Sequence, residues 1–206
     1  MSVTVIIIII TCIISIAAFQ NEDLLRKLIF SPYTVARDSS QYFRFLTSGL
    51  IHGNWLHLLL NMYVLWMFGY ITEQYFAGIF YPAGTILFIA LYILAIPISE
   101  TVSFIKHKDN HSYASLGASG AVSAVVFASI LFEPTNKLYI IFIPIGIPAF
   151  IFGPLYLAYS AYMSKQNIDN IGHDAHFFGA VFGFVFPLLF KPELLLRFIS
   201  IITEWL

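Results

Sequence analysis

The stretch Leu116-Gly117-Ala118-Ser119-Gly120-Ala121 opens an apolar segment that continues to Phe132. It is a run of small residues around one hydroxyl. Glycine lets another chain come close to the backbone and leaves the serine oxygen uncovered. Two readings fit the run. Small residues are common where membrane helices touch, which would make it a packing face. A serine set between glycines could also be a nucleophile, if the chain holds a base against it. Taken alone the run favours packing, and the rest of the sequence decides.

The chain has 206 residues, 59% hydrophobic and only 10% charged, with a mean hydropathy of +0.84. A soluble domain of this length carries about 25% charged residues. The missing charge says that most of the solvent is lipid. The net charge of -1 provides no basic field for nucleic acid. The single cysteine, Cys12, allows neither a disulfide framework nor a Cys/His zinc pattern. Apolar spans of about 20 residues each would use most of the length. The expectation is one membrane domain over 1–206.

The spans read as 3–19, 54–72, 79–105, 113–132, 138–163 and 171–190, with an amphipathic tail over 191–206. The first is isoleucine-rich and has no basic residue ahead of it, unlike a secretory signal. Between the first two spans lie Glu22, Asp23, Arg26, Lys27, Arg37, Asp38 and Arg44, with five aromatic residues among them. That composition predicts an ordered interfacial loop with short helices, anchored by its aromatics. Pro144, Pro148 and Pro154 read as kinks in the fifth span. The tail predicts a surface helix. The fold class expected is an all-α membrane protein, a bundle of six transmembrane helices.

Spans two, four and six start on one side of the membrane. His57 and Asn61 lie early in span two, Ser119 early in span four and His176 early in span six. At ~1.5 Å per residue they fall roughly 5–12 Å below one face. Polar groups at that depth usually face the interior or a water-filled cavity. A shared depth makes one cavity plausible for residues more than a hundred positions apart.

A serine hydroxyl needs a base to take its proton, and histidine has a suitable pKa. Gly179 and Gly183, after His176, form a Gly-xxx-Gly face on span six. That face could lie against Gly117, Gly120 and Ala121 and bring His176 to Ser119. His57 and Asn61 are spaced i, i+4 and share a face. With the Ser119 backbone N–H they could stabilise an oxyanion, or they could simply fix helix packing. Asp174, two residues from His176, points elsewhere, so a Ser–His dyad is favoured over a triad. Ser115 and Ser123 are rival nucleophiles, but only Ser119 is flanked by glycine.

These residues resemble a family. Gly117-Ala118-Ser119-Gly120 looks like the GxSG motif of rhomboid intramembrane serine proteases. His57-Leu58-Leu59-Leu60-Asn61 resembles their HxxxN, and Ala175-His176-Phe177-Phe178-Gly179 their AHxxG. The stretch from Tyr42-Phe43-Arg44-Phe45 through Ile51-His52-Gly53 to Gly69 is similar to their first loop and second span. The likeness covers about residues 40–190. It implies a rhomboid-like bundle with an interfacial first loop. It also implies hydrolysis of peptide bonds in or near transmembrane segments of other proteins. By that likeness Ser119 attacks, and His176 is base and then acid. Asn61, His57 and the Ser119 N–H would form the oxyanion hole. His52, Arg44, Gly117, Gly120, Gly179 and Gly183 would support the site. The fifth span and the 164–172 loop would be gate and cap. The implied partners are transmembrane substrates and membrane lipids, with no cofactor, metal or nucleic acid. No feature of the sequence fixes an oligomeric state.

The sequence departs from the family's pattern in places. Many relatives have Trp-Arg in the first loop, where this chain has Phe43-Arg44. Some carry a tyrosine one turn after the serine, on which the histidine ring stacks. Here that position is Ser123, so something else must steady His176, and Phe177 and Phe178 are the nearby aromatics. The side bearing the site has Arg26, Lys27, Arg37, Arg44, Lys106, Lys108 and Lys165, against Lys137, Lys191 and Arg197 on the other. The positive-inside rule would make the site cytoplasmic. Bacterial relatives place it outside, and the expectation follows them, in a bacterial inner (plasma) membrane. The alternatives are an inactive rhomboid-like protein that binds membrane clients, and a haem-binding or proton-conducting bundle using His52, His57, His173 and His176.

Overall fold

The computed structural model describes residues 1–139, 145–166 and 172–206. The chain starts with α1 (Val3–Gln20), whose N-terminus is capped by Ser2 Oγ accepting from the Val5 N–H at 3.3 Å. Isoleucine is a mediocre helix former in water. In lipid every backbone group must be satisfied within the segment, and the helix is then the solution left to a single span. The buried residues of α1 are Thr4, Thr11, Ser15 and Ala18, while Ile9, Ile10 and Ile13 point outward. The small and polar side chains face the protein, Ile7, Ile8 and Ile16 pack at its edge, and Ile6, Ile9, Ile10 and Ile13 are exposed.

The first loop is built from α2 (Glu22–Leu28), α3 (Pro32–Arg37) and α4 (Arg44–Thr47), with 3-10 turns at Ser39–Gln41 and Ser48–Leu50. Asn21 and Ser31 cap α2 and α3, and Pro32 sits at the start of α3, where its missing N–H does no harm. Two long helices follow, α5 (Trp55–Ile79) and α6 (Gly84–His107). Asn54 Oδ1 caps α5 by accepting from the His57 N–H at 2.8 Å. Then come α7 (Ser119–Phe132), α8 (Ala149–Gln166), α9 (His173–Val185) with a 3-10 turn at Phe186–Leu189, and α10 (Glu193–Trp205).

Helices α1, α5 and α6 are long and apolar enough to cross a bilayer, and α7 and the His173–Leu189 stretch are shorter apolar helices. Every residue of α7 except Ser119 and Ser129 is buried. A helix that is apolar all round belongs in the middle, and α5, α6 and α9 all pack on it. The core includes Leu65, Phe76, Phe88, Leu91, Val125, Leu131 and Phe132.

Helix α1 runs antiparallel to α5. At one end the Glu73 carboxylate accepts from the N–H groups of Val3 and Thr4, at 2.8 and 3.0 Å, and from the Thr4 hydroxyl. A carboxylate there complements the positive end of the helix dipole. At the other end Phe19 meets Trp55.

Several expected boundaries move. The second span extends to Ile79, and the third starts at Gly84. The fourth becomes helical only at Ser119, six residues later than expected. The all-α expectation is corrected by a small antiparallel hairpin, with Lys137–Tyr139 paired to Gly146–Pro148. The fifth helix therefore starts at Ala149 rather than 138. Pro148 ends a strand instead of kinking a helix, and only Pro154 lies inside α8. The expected kink at Pro144 falls outside the described residues, as do 167–171 of the expected 164–172 cap.

Candidate active site

The loop before α7 is pinned on three sides. Phe30 and Ser115 exchange both backbone hydrogen bonds at 3.0 Å. The Gly117 N–H donates to the Ser48 carbonyl at 2.9 Å, and the Ala118 N–H to His52 Nε2 at 3.4 Å. Gly117 has φ +121°, a conformation that favours glycine. A Cβ there would also lie 2.6 Å from Cε1 of the His57 ring. Both constraints exclude other residues, and the His57 ring rests on the turn that delivers Ser119.

Ser119 is the first residue of α7, and no side chain caps that end. The first N–H groups of a helix lack intrahelical acceptors. They also carry the positive end of its dipole. The Ser119 hydroxyl is thus placed beside backbone donors suited to a negative oxygen.

His52 is fully buried in the loop before α5. Ser15 Oγ donates to the Leu50 carbonyl at 2.9 Å and lies 3.0 Å from His52 Nδ1. Since the hydroxyl proton goes to Leu50, Nδ1 must donate to Ser15 and Nε2 must accept from Ala118. That assignment keeps the ring neutral. Burial, with a contribution from His57, pushes its pKa down to about 3. The His52 and His57 rings meet edge-on, 4.9 Å apart. Asn61 is buried, and its Nδ2 donates to the His57 carbonyl at 2.9 Å. That bond fixes the amide plane and uses one of its two N–H groups.

The α7–α9 contact is the most extensive between helices. A Cβ on Gly179 would overlap the Gly120 carbonyl oxygen, and one on Gly183 the Ala124 carbonyl oxygen. The Ala175 carbonyl lies beside Gly120. Ser119 and His176 therefore occupy the first turns of two helices that touch backbone to backbone. His176, Gly179 and Gly183 follow an i, i+3, i+7 spacing and share one face.

The rivals are engaged elsewhere. Ser115 Oγ donates to Glu100 at 2.8 Å, and Ser123 Oγ is 2.8 Å from the Tyr156 hydroxyl. Asp174 is an ion-pair and hydrogen-bond partner of other helices. It takes Lys106 Nζ at 2.8 Å and the Ser164 hydroxyl at 2.5 Å, tying the ends of α6 and α8 to α9. Phe177 and Phe178 pair with each other. The ring that faces His176 belongs to Tyr156 on α8, which no motif spacing pointed to. Arg44 lies in the first loop, donating to the carbonyls of Arg26 and Ile29 at 2.8 and 2.7 Å. It braces the end of α2.

Comparison with known proteins supplies the family. The rhomboid domain model matches residues 39–193. The chain belongs to the rhomboid family. It is 34% identical over 148 residues to the mouse presenilin-associated rhomboid-like protein, mitochondrial, and 32% identical to the human one; each match covers 67% of this chain and 35% of the relative. It is 28% identical over 145 residues to the RHOMBOID-like protein 12, mitochondrial, of Arabidopsis thaliana, covering 66% of this chain and 42% of that protein. This rhomboid chain thus spans well under half the length of these relatives. It is a multi-pass membrane protein.

Proposed function

We propose that the chain is an intramembrane serine endopeptidase working through a Ser119–His176 dyad. The observation that carries this reading is the seam at Gly120 and Gly179, which sets both residues on adjoining first turns. His176 takes the hydroxyl proton as Ser119 Oγ adds to the substrate carbonyl carbon. The carbonyl oxygen becomes an oxyanion, for which the Ser119 N–H, the free Asn61 N–H and the His57 ring are the donors. His176 then protonates the departing amine, the C–N bond breaks and an ester to Ser119 remains. Water, deprotonated by His176, hydrolyses that ester and restores the hydroxyl.

Six helices (α1 and α5 to α9) form the transmembrane bundle in this reading. Helix α7, with 14 residues, is about 21 Å long against a hydrocarbon core of about 30 Å. Its first residue therefore lies below the lipid surface, under a loop that admits water. Substrates are the transmembrane segments of other membrane proteins. Four of the seven basic residues on this side are tied up locally: Arg26 with Glu22, Arg37 with Asp109, Arg44 with carbonyls and Lys106 with Asp174. They serve the loops, which weakens their vote on orientation, and the site faces away from the cytoplasm. The relatives carry mitochondrial names. Those names favour the organelle's membrane at least as much as a bacterial plasma membrane.

The test is covalent labelling by a serine-directed fluorophosphonate, together with cleavage of a model transmembrane substrate. Wild type should do both, and Ser119→Ala and His176→Ala neither. Undiminished cleavage by Ser119→Ala would end this reading. A wild type that neither labels nor cleaves would favour an inactive client-binding protein.

A further inference from the structure

A row of four rings joins α8 to α9. Tyr156 and His176 lie with centroids 6.5 Å apart and planes at 21°. His176 meets His173 edge-on at 5.9 Å, and His173 meets Tyr159 edge-on at 5.8 Å. Both pairs, Tyr156/Tyr159 and His173/His176, are spaced i, i+3 and so share a helix face. These centroid distances fall within the range where aromatic pairs attract.

The Tyr156 ring is itself held. Its hydroxyl is 2.8 Å from Ser123 Oγ, and its faces and edges meet Phe127 at 5.6 Å and Phe152 at 5.7 Å. Ser123 lies one helical turn after Ser119 on α7. One turn of α7 thus carries the serine, and the next carries the hydroxyl that fixes the ring facing His176. Among the described residues α8 leans more on α9 than on α7, which gives the Ser123–Tyr156 bond more weight in setting where α8 stands against α7.

We propose that Tyr156 is the positioning residue for His176. Ser123 sets the Tyr156 ring, the ring sets the imidazole, and the histidine is aimed only while α8 lies against α7. This rests on the reading of Ser119 and His176 as the reacting pair. Tyr156 does not touch the reacting atoms. It acts through the histidine, so its loss is felt in turnover rather than in substrate binding.

The test is the cleavage kinetics of a model transmembrane substrate by the purified full chain in detergent micelles, with thermal unfolding measured in parallel. Tyr156→Leu, which keeps bulk and removes the ring, should lower kcat about 10- to 100-fold with KM nearly unchanged. Tyr156→Phe restores the ring without the hydroxyl and should recover most of that loss. Ser123→Ala should match Tyr156→Phe, each about three- to tenfold below wild type, and the double variant should be no worse than either alone. A wild-type kcat in Tyr156→Leu, or a Phe variant no better than the Leu variant, overturns the proposal. If Tyr156→Leu fails to fold, Ser123→Ala decides, and an unchanged kcat there overturns it too. Failure of the underlying reading looks different: Ser119→Ala would then cleave like wild type. If Ser119→Ala is inert and Tyr156→Leu turns over like wild type, only the role of Tyr156 falls.

Discussion

Helix α9 has two walls, and they are made differently. Toward α7 it presents glycines, and carbonyl oxygens of the partner helix occupy the space where Cβ atoms would be. Toward α8 it presents imidazoles, which meet tyrosine rings with centroids about 6 Å apart. Backbone-to-backbone contact admits almost no adjustment, because a carbonyl cannot rotate out of the way. Ring contacts can slide by fractions of an ångström at little loss. The first wall sets the spacing of the turns that carry Ser119 and His176, and in the proposed arrangement the second aims the imidazole. A site built this way tolerates small slips of α8 that keep the rings in contact, but no separation of α9 from α7.

The sharpest way to break that contrast is to add one methyl group to the rigid wall. In Gly183→Ala the new Cβ would fall inside the Ala124 carbonyl, so α7 and α9 must separate. Overpacking of this kind lowers stability by about 1–3 kcal/mol. A shift approaching 1 Å at the proposed reacting pair would lower the rate about 100-fold. The expected outcome is loss of both cleavage and melting temperature, read by the substrate assay and by thermal unfolding. A variant with wild-type activity would show that the seam is looser than its geometry.

The rigid wall was legible in the sequence and the ring wall was not. Gly179 and Gly183 stand in helical register with His176, and Gly117 and Gly120 flank Ser119, so local spacing alone predicts a close approach. Tyr156 bears no spacing relation to either residue and sits in an apolar helix with two other tyrosines, Tyr159 and Tyr162. Only the missing ring at Ser123 hinted that a partner was needed, and tertiary packing of α8 supplies it. The paired strands Lys137–Tyr139 and Gly146–Pro148 were hidden for another reason: an apolar run with several prolines reads equally as a kinked span or as short strands. The interior of α1 was concealed by its isoleucines, since the informative residues are Thr4, Thr11 and Ser15, which carry its buried face.

A smaller effect should come from the loop that joins these walls to the rest of the molecule. His52 has a folded-state pKa of about 3, against an ordinary value of 6.5. Below pH 6.5 an unfolded chain takes up a proton that the folded chain refuses. Stability from this residue is therefore complete above about pH 6.5 and declines as pH falls toward about 3. His52→Gln keeps a donor and an acceptor but does not titrate. Its melting temperature should be lower than wild type at pH 7.5, and it should fall less steeply between pH 6.5 and 4. Parallel slopes for the two proteins would remove His52 from the account of acid sensitivity.

The mildest perturbation tests the looser side directly. Gly153 lies on α8 facing α7, and a Cβ there would sit 3.6 Å from Phe127 Cε1 and 3.7 Å from Ile130 Cδ1. That is ordinary van der Waals contact with movable side chains, unlike the carbonyl that meets Gly183. Glycine in a helix interior is less favourable than alanine by up to about 1 kcal/mol. Gly153→Ala should therefore keep wild-type cleavage and raise the melting temperature slightly. The same chemical change, glycine to alanine, is thus expected to have opposite signs on two helices that pack around one histidine. If Gly153→Ala instead behaves like Gly183→Ala, α8 is as tightly seated as α7. The tolerance ascribed to the ring wall would then be wrong, and the aim of His176 would no longer depend on a helix free to adjust.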